Sequence, residues 1–296
     1  MNTDGLRGEL SLDEPLARHT SWRVGGPARR LYRPADAADL SEFLRRLDPQ
    51  EPLLWLGLGS NLLVADAGFP GTVVETQGCL TALRAIGDLG VRAEAGVACA
   101  KVARFAARRG LIGIEFLAGI PGTIGGALAM NAGAWGSETW AHVARVHTID
   151  RQGEVRQRPP KDFRIGYREV EGPKGEWFLE AELVLSAGDT EAAAARIREL
   201  LDRRSQTQPT GLPSCGSVFR NPPGGFAARL IEAAGLKGFA IGGAQVSEKH
   251  ANFIINTGSA SAGDIARLIE HVRQRVEAAS GIRLVTEVKQ VGGNAA

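Results

Sequence analysis

Two glycine-rich tracts hold the residues best suited to chemistry in this sequence. Residues 116–138 read FLAGIPGTIGGALAMNAGAWGSE, with glycines at 119, 122, 125, 126, 133 and 136 and alanines between them. So little side-chain bulk lets main-chain amides approach another molecule closely, and a concave run of N–H groups favours an anion, most often a phosphate or pyrophosphate. Tight packing of a loop against a sheet is the plainer alternative, and six glycines in so short a run count against it. The second tract, Gly57-Leu58-Gly59-Ser60-Asn61, follows an apolar run and adds two hydrogen-bonding side chains to the same kind of backbone. A strand that empties into G-x-G invites comparison with the dinucleotide-binding fingerprint. The third glycine position is Leu62, however, and no helical pattern opens there.

Secondary structure must position both tracts. Residues 20–28 (TSWRVGGPA) form a turn around Gly-Gly-Pro, and residues 37–47 place Leu40, Phe43, Leu44 and Leu47 on one helical face, with Asp39, Glu42 and Arg46 on the other. Strands are expected at 53–58, 62–64 and 72–75, with a turn at Asp66-Ala67-Gly68, which together make a small α+β unit. The stretch 78–89 reads as a domain boundary. Beyond it, 91–96 alternates as a strand and 101–109 forms a helix ended by Gly110. Strands at 143–149, 154–158 and 177–185 precede a charged, Ala-rich helix at 191–204. From Ser205 the composition changes, with prolines at 209, 213, 222 and 223 framing a short strand at 217–219. A helix at 226–234 and strands at 241–246 and 252–256 lead to the clearest helix, 261–279, where Ile265, Leu268, Ile269, Val272 and Val276 form one stripe and Ser261 with Asp264 marks the start. A last strand, 284–291, carries Glu287 near its middle, a carboxylate that either faces solvent or is held in a site.

Bulk properties narrow the function. At 296 residues the chain is long enough for two domains or three small ones. A net charge of +2 argues against nucleic acid or a membrane as the main partner. Cys79, Cys99 and Cys215 are widely spaced and fit neither a disulfide framework nor a zinc site, which suits a reducing cytoplasm. The five histidines make no ligand cluster, so no metal is expected. The N-terminal MNTDGLRGELSLDEP lacks the basic start and apolar run of a signal peptide, and no later segment is apolar enough to span a bilayer.

Seven stretches taken together resemble one family: TSWRVGGPA, GLGSNLLVADAGFPG, GIEFLAGIPGTIGGALAMNAGAWGSE, GYRE, PSCGSVFRNP, LKGFAIGGAQVSEKHANFIINTG and LVTEVKQVG, in this order. They look like the UDP-N-acetylenolpyruvoylglucosamine reductases, and the match runs from about Thr20 to Gly292. The resemblance implies an α+β chain. Two FAD-binding subdomains of the vanillyl-alcohol-oxidase-like (PCMH-type) group, 1–78 and 79–204, would be followed by a C-terminal α+β substrate domain, 205–296. It implies non-covalent FAD, NADPH as co-substrate, a nucleotide-sugar substrate and a role in peptidoglycan precursor synthesis; a cytoplasmic monomer is expected. The short spacing from Tyr167 to Trp177 and on to Glu191 leaves little room for the tyrosine-bearing loop found in part of the family, so the shorter form is implied.

The same resemblance carries residue roles. Gly57, Gly59, Ser60 and Asn61 would meet the flavin pyrophosphate from one side, and Gly119, Gly122, Thr123, Gly125 and Gly126 from the other. Asn131, Gly133 and Ala134 would approach the isoalloxazine or its ribityl chain, with Arg23 a further flavin contact. Reducing an enol ether beside a carboxylate needs hydride at the CH2 carbon, a partner for the enolate that develops, and a proton donor. Arg168 of GYRE would hold and polarise the substrate carboxylate, its guanidinium offering paired donors. Glu287 would assist, its pKa raised from about 4.3 by burial near an incoming carboxylate. Ser217 would donate the proton, which requires neighbours that stabilise an alkoxide or relay a proton. Without the family match, a strand cap, a surface ion pair and an edge-strand charge are the readings of Ser217, Arg168 and Glu287. Cys215, a better acid near pH 7, competes with Ser217, although it reads as a small buried filler. Tyr167, Gln208, Arg220, Asn221, Gln245 and Asn252 are candidate substrate contacts, Arg220 and Asn221 for the diphosphate. A different flavin enzyme of the same fold group, or a nucleotide-sugar binding protein without catalysis, are the rival classes.

Overall fold

A computed structural model describes residues 3–293. The chain forms two compact units, one of Met1–Ser11, Arg30–Leu58 and Gly71–Asp202, the other of Leu12–Arg29, Gly59–Pro70 and Arg203–Ala296. In the first unit, strand Leu53–Leu56 pairs in parallel with Phe69–Glu75, with Leu53 opposite Thr72 and Leu56 opposite Glu75. These two continue a four-stranded sheet in the order Glu9–Pro15, Pro27–Arg33, Phe69–Glu75, Leu53–Leu56. Helix α1 (Ala37–Arg46) forms where the apolar spacing places it and covers this layer with Leu40, Phe43 and Leu44, all buried. Phe43 stacks on Tyr32 with ring centroids 3.7 Å apart.

A second sheet in the first unit is antiparallel and five-stranded, ordered Val155–Arg158, Val143–Asp150, Glu176–Val184, Gly90–Glu94, Leu83–Ile86. Its edge strand, Leu83–Ile86, lies inside the stretch 78–89 that reads as a boundary, where Arg84 opposes Arg92. Helix α2 (Cys99–Ala107) and helix α3 (Ile124–Met130) bury Val102, Ala106, Ile124 and Leu128 against Val91, Ala93, Val146 and Ala181 of the sheet. The glycine-rich tract is therefore not loop throughout. Residues Ile124–Met130 are helical although Gly125 and Gly126 each weaken a helix by about 1 kcal/mol relative to alanine, and the burial of Ile124, Ala127 and Leu128 offsets that cost. The hairpin Arg164–Gly166/Glu169–Glu171 has Tyr167 and Arg168 as its tip. Helix α4 (Thr190–Thr207) carries the chain out of this unit, which ends at Asp202.

The second unit is built on helices α5 (Ala227–Ala233) and α6 (Ala262–Ser280) and a three-stranded sheet of Ala240–Ile241, Ala244–Val246 and Ile254–Asn256. Ser261 and Asp264 make a reciprocal capping box at the start of α6, and Gly281, at φ +71°, ends it. The stripe Ile265, Leu268, Ile269, Val272 and Val276 is buried with Trp22, Leu63, Val218 and Phe219. The expected strand 241–246 is a hairpin that turns at Gly242 and Gly243, and the expected strand 284–291 contracts to Lys289–Val291, which runs parallel to Leu62–Val64. Among the described residues no helix is long and apolar enough to cross a membrane.

Candidate active site

Gly57 ends the strand Leu53–Leu56 and faces Thr123, the N-cap residue of α3. A Cβ placed on Gly57 would lie 2.4 Å from Thr123 Oγ1, closer than real contacts allow, so only glycine fits and the two tracts meet within the first unit. Thr123 is buried, and its Oγ1 has no hydrogen-bond partner among the described residues. A buried hydroxyl left without a partner beside bare backbone marks a place for a polar ligand atom. Within the same unit, the N–H groups of Leu58, Gly122 and Thr123 donate to no backbone carbonyl among the described residues. Those of Ile124 and Gly125, by contrast, donate to Val97 O and Ala95 O at 2.9 Å each. The reading of a continuous bare run is corrected there: Gly125 serves packing, its would-be Cβ only 3.0 Å from Ala95 Cβ. Gly119 closes the short helix Glu115–Gly119, and Gly126 is exposed. Orphaned hydroxyl, unpaired amides and absent side chains together fit the pyrophosphate of a dinucleotide.

Arg168 stands on the same glycine tract. Its backbone is left-handed, at φ +57°, in the second position of a two-residue hairpin tip, a conformation that costs a non-glycine residue about 1–3 kcal/mol. The guanidinium donates to Gly133 O at 2.6 Å and to Asn131 O at 3.4 Å and lies over the Tyr167 ring. Gly133 and Ala134 pair with Ser137 and Glu138 in a short hairpin. Asn131, itself at φ +43°, is buried, and its side chain is engaged inside the protein: Nδ2 donates to Glu138 Oε2 at 2.8 Å and Gly166 O at 3.1 Å, while Oδ1 accepts from Trp140 N. Tyr167 is about half exposed.

In the second unit, Ser217 and Glu287 lie on neighbouring backbone segments. Glu287 N donates to Val218 O at 2.8 Å, and Phe219 pairs with Thr286 in a single antiparallel bridge. Neither segment is the regular strand expected from sequence, because the pairing extends only around that bridge. Asn252, fully buried, holds the other edge: its carbonyl accepts from Val218 N, and its side chain bonds both Phe219 N and Phe219 O. The glycine tract enters here too. Asn61 Nδ2 donates to Glu287 O at 3.1 Å, and its carbonyl accepts from Lys289 N. Cys215 is buried with Sγ directed at Gly59 O and Leu62 O, and burial pushes its thiol up to about 12, against weaker lowering by backbone hydrogen bonds.

The remaining sequence candidates are placed as follows. Gln208 Oε1 accepts from Arg204 Nε, Asn221 Oδ1 accepts from Ala227 N, and Gln245 Nε2 donates to Gly238 O. Arg220 N donates to Val285 O, and Arg23 is exposed at φ +58° in a turn closed by its own N–H to Thr20 O. Gly59, at φ +64°, lies against His19 O, where a Cβ would come within 2.1 Å. Glu138 had no place in the sequence reading. Its only signal was its position at the end of the tract AWGSE, and its role depends on a hairpin register that no local pattern reveals.

Residues 208–291 match the family described as UDP-N-acetylenolpyruvoylglucosamine reductase, C-terminal domain, and residues 28–157 match the family described as FAD binding domain. The chain is 64% identical over 285 residues to the UDP-N-acetylenolpyruvoylglucosamine reductase of Alkalilimnicola ehrlichii, covering 96% of this chain and 95% of that one. It is 62% identical to that of Methylococcus capsulatus, covering 97% and 94%. The crystal structure of a protein of the same name from Thermus caldophilus superposes with a TM-score of 0.84 at 33% identity, covering 97% of this chain and 99% of that one. 6-Hydroxy-D-nicotine oxidase from Arthrobacter nicotinovorans shares the fold, with a TM-score of 0.58 at 12% identity over 96% and 89% of the two chains.

Proposed function

This chain belongs to the UDP-N-acetylenolpyruvoylglucosamine reductase family, and from that premise we propose the part each of its residues takes in the reaction. It is an FAD-dependent oxidoreductase that reduces UDP-N-acetylenolpyruvoylglucosamine with NADPH to UDP-N-acetylmuramate, a peptidoglycan precursor. FAD, when bound, would supply the hydride-carrying chemistry between NADPH and the enolpyruvyl CH2 carbon that side chains lack. Gly57, Gly59, Ser60, Asn61, Gly122 and Thr123 hold its pyrophosphate, a reading supported by the orphaned Thr123 hydroxyl opposite Gly57.

When hydride adds to the CH2 carbon, the double-bond electrons move toward the substrate carboxylate. Arg168 and Glu287 stabilise the charge that gathers there. Ser217 Oγ–H then gives its proton to the adjacent carbon, so that one hydride and one proton have added across the double bond, and the serine regains a proton from solvent. The observation that supports the assignment of donor and acid is the 2.8 Å hydrogen bond from Glu287 N to Val218 O, which joins the backbone of residue 287 to the residue that follows Ser217. Tyr167, Gln208, Arg220, Asn221, Gln245 and Asn252 are assigned to the nucleotide sugar. For Gln245 and Asn252 the side-chain bonds to the protein's own backbone support a role in shaping the site as well as in contact.

The same reading assigns 1–78 and 79–204 to FAD, 205–296 to the substrate, the cytoplasm as location, a monomer as the working state, and the shorter form of the family. The four residues between the hairpin Arg164–Glu171 and strand Glu176–Val184 support the last point. The test is Ser217→Ala. Under anaerobic conditions NADPH is expected to reduce the variant's flavin at close to the wild-type rate, while reoxidation by UDP-N-acetylenolpyruvoylglucosamine slows by several orders of magnitude. Unchanged turnover would remove Ser217 from the mechanism.

A further inference from the structure

We propose that Glu138 is a positioning residue for Arg168, acting through Asn131. The proposal rests on the family reading above, and its observations are separate from that reading. Arg168 occupies a strained hairpin tip, and isolated strain of this kind persists only where surrounding contacts over-determine it. Four hydrogen bonds do so here. The guanidinium donates to the carbonyls of Asn131 and Gly133; Asn131 Nδ2 donates to Gly166 O at the base of the same hairpin; and Glu138 Oε2 accepts the other Asn131 Nδ2 hydrogen at 2.8 Å. Asn131 is buried with both ends of its amide engaged, so its orientation is fixed by the charged acceptor on one side and by Trp140 N on Oδ1.

Glu138 also sets the register of the contact. It pairs with Gly133 across the short hairpin, and a Cβ on Gly133 would lie 2.9 Å from Glu138 Cγ, so the carbonyl that receives Arg168 and the carboxylate that holds Asn131 belong to one paired unit. Removing the carboxylate frees the Asn131 amide to turn, which releases Gly166 and lets the hairpin tip relax toward an ordinary backbone conformation. Arg168 then loses the fixed angle at which it meets a substrate carboxylate.

The experiment compares half-reactions in Glu138→Ala, Glu138→Gln and the Arg168→Ala background. In Glu138→Ala, reoxidation of the NADPH-reduced enzyme by UDP-N-acetylenolpyruvoylglucosamine is expected to slow at least tenfold, while FAD content and the rate of reduction by NADPH stay within twofold of wild type. Glu138→Gln, whose amide oxygen can still accept from Asn131, is expected to recover the rate to within about threefold. In the Arg168→Ala background, Glu138→Ala is expected to add less than twofold, because its effect passes through a guanidinium already absent. Should Glu138→Ala not accumulate as folded protein, Glu138→Asp, which keeps the charge but falls short of Asn131, is expected to show the same selective loss. An undiminished substrate step, an equal loss in both half-reactions, or a full tenfold loss in the Arg168→Ala background would overturn the proposal. Failure of the wild type itself to be reoxidised by this substrate would overturn the family reading instead.

Discussion

Cys215 and Ser217 stand two residues apart, and their surroundings decide which can give up a proton. The Cys215 thiol is enclosed, points at the carbonyls of Gly59 and Leu62, and is pushed up to about 12 by burial, so it remains a neutral thiol through the physiological range. Ser217 is only half-buried and lies next to the segment that carries Glu287. Cys215→Ser is therefore expected to retain turnover within about threefold, and the wild-type thiol to resist iodoacetamide at pH 8 in the folded protein. Peptide mapping of the alkylated protein checks the second point; labelling of Cys215, with loss of activity in step, would return it to the mechanism. The expectation from sequence that this cysteine is buried filler holds, since an odd cysteine in an apolar setting behaves as a small hydrophobe.

Among the elements, helix α1 shows how a polar network fixes a scaffold beneath the glycine turn. Asp36 caps the helix, and Asp39, buried in its first turn, accepts from Tyr32 Oη at 2.5 Å, Arg7 N at 2.7 Å and Ala35 N at 3.0 Å. Burial alone would push the Asp39 carboxyl up, but these donors outweigh it and hold it below its ordinary 3.8. A carboxyl depressed by folding contributes stability that is present above its unfolded value and lost as pH falls through the folded value. Asp39→Asn is thus expected to lower stability by ~1–3 kcal/mol at pH 7 and to flatten the loss of stability below pH 3.8, measured by urea unfolding across the acid range. An unchanged acid limb would show that Asp39 is not the group that titrates there.

The elements also show what local pattern can and cannot convey. The α6 cap was legible because Ser261 and Asp264 act within one turn and the apolar stripe repeats with helical period. Helix α3 was not, because Gly125 and Gly126 argue against a helix and only burial of Ile124 and Leu128 in a distant sheet overrides them. The strand expected at 284–291 is regular only at Lys289–Val291, and its first half is held by isolated backbone bonds around the bridge of Thr286 with Phe219. Arg168, Ser217 and Glu287 were reached through motif resemblance alone. Their spacing in sequence carries no sign of the hairpin strain at Arg168 or of the bond between Glu287 N and Val218 O.

At the scale of the whole molecule, the chain crosses repeatedly between its two compact units, with 12–29 and 59–70 belonging to the second and the intervening segments to the first. Such crossings are invisible to composition or periodicity, which follow the chain linearly. The parallel pairing of Lys289–Val291 with Leu62–Val64 joins residues more than two hundred positions apart, and it seats Lys289–Val291 beside the strand that follows Gly57–Asn61. The central claim is that this molecule carries hydride from NADPH through bound FAD to an enolpyruvyl double bond. It is tested most directly by mixing the purified yellow protein with NADPH under anaerobic conditions and then adding UDP-N-acetylenolpyruvoylglucosamine. The account expects the flavin absorbance to bleach with NADPH and to return in full, one equivalent per substrate reduced. Protein that binds no FAD, or bleached protein whose colour the substrate fails to restore, would contradict it.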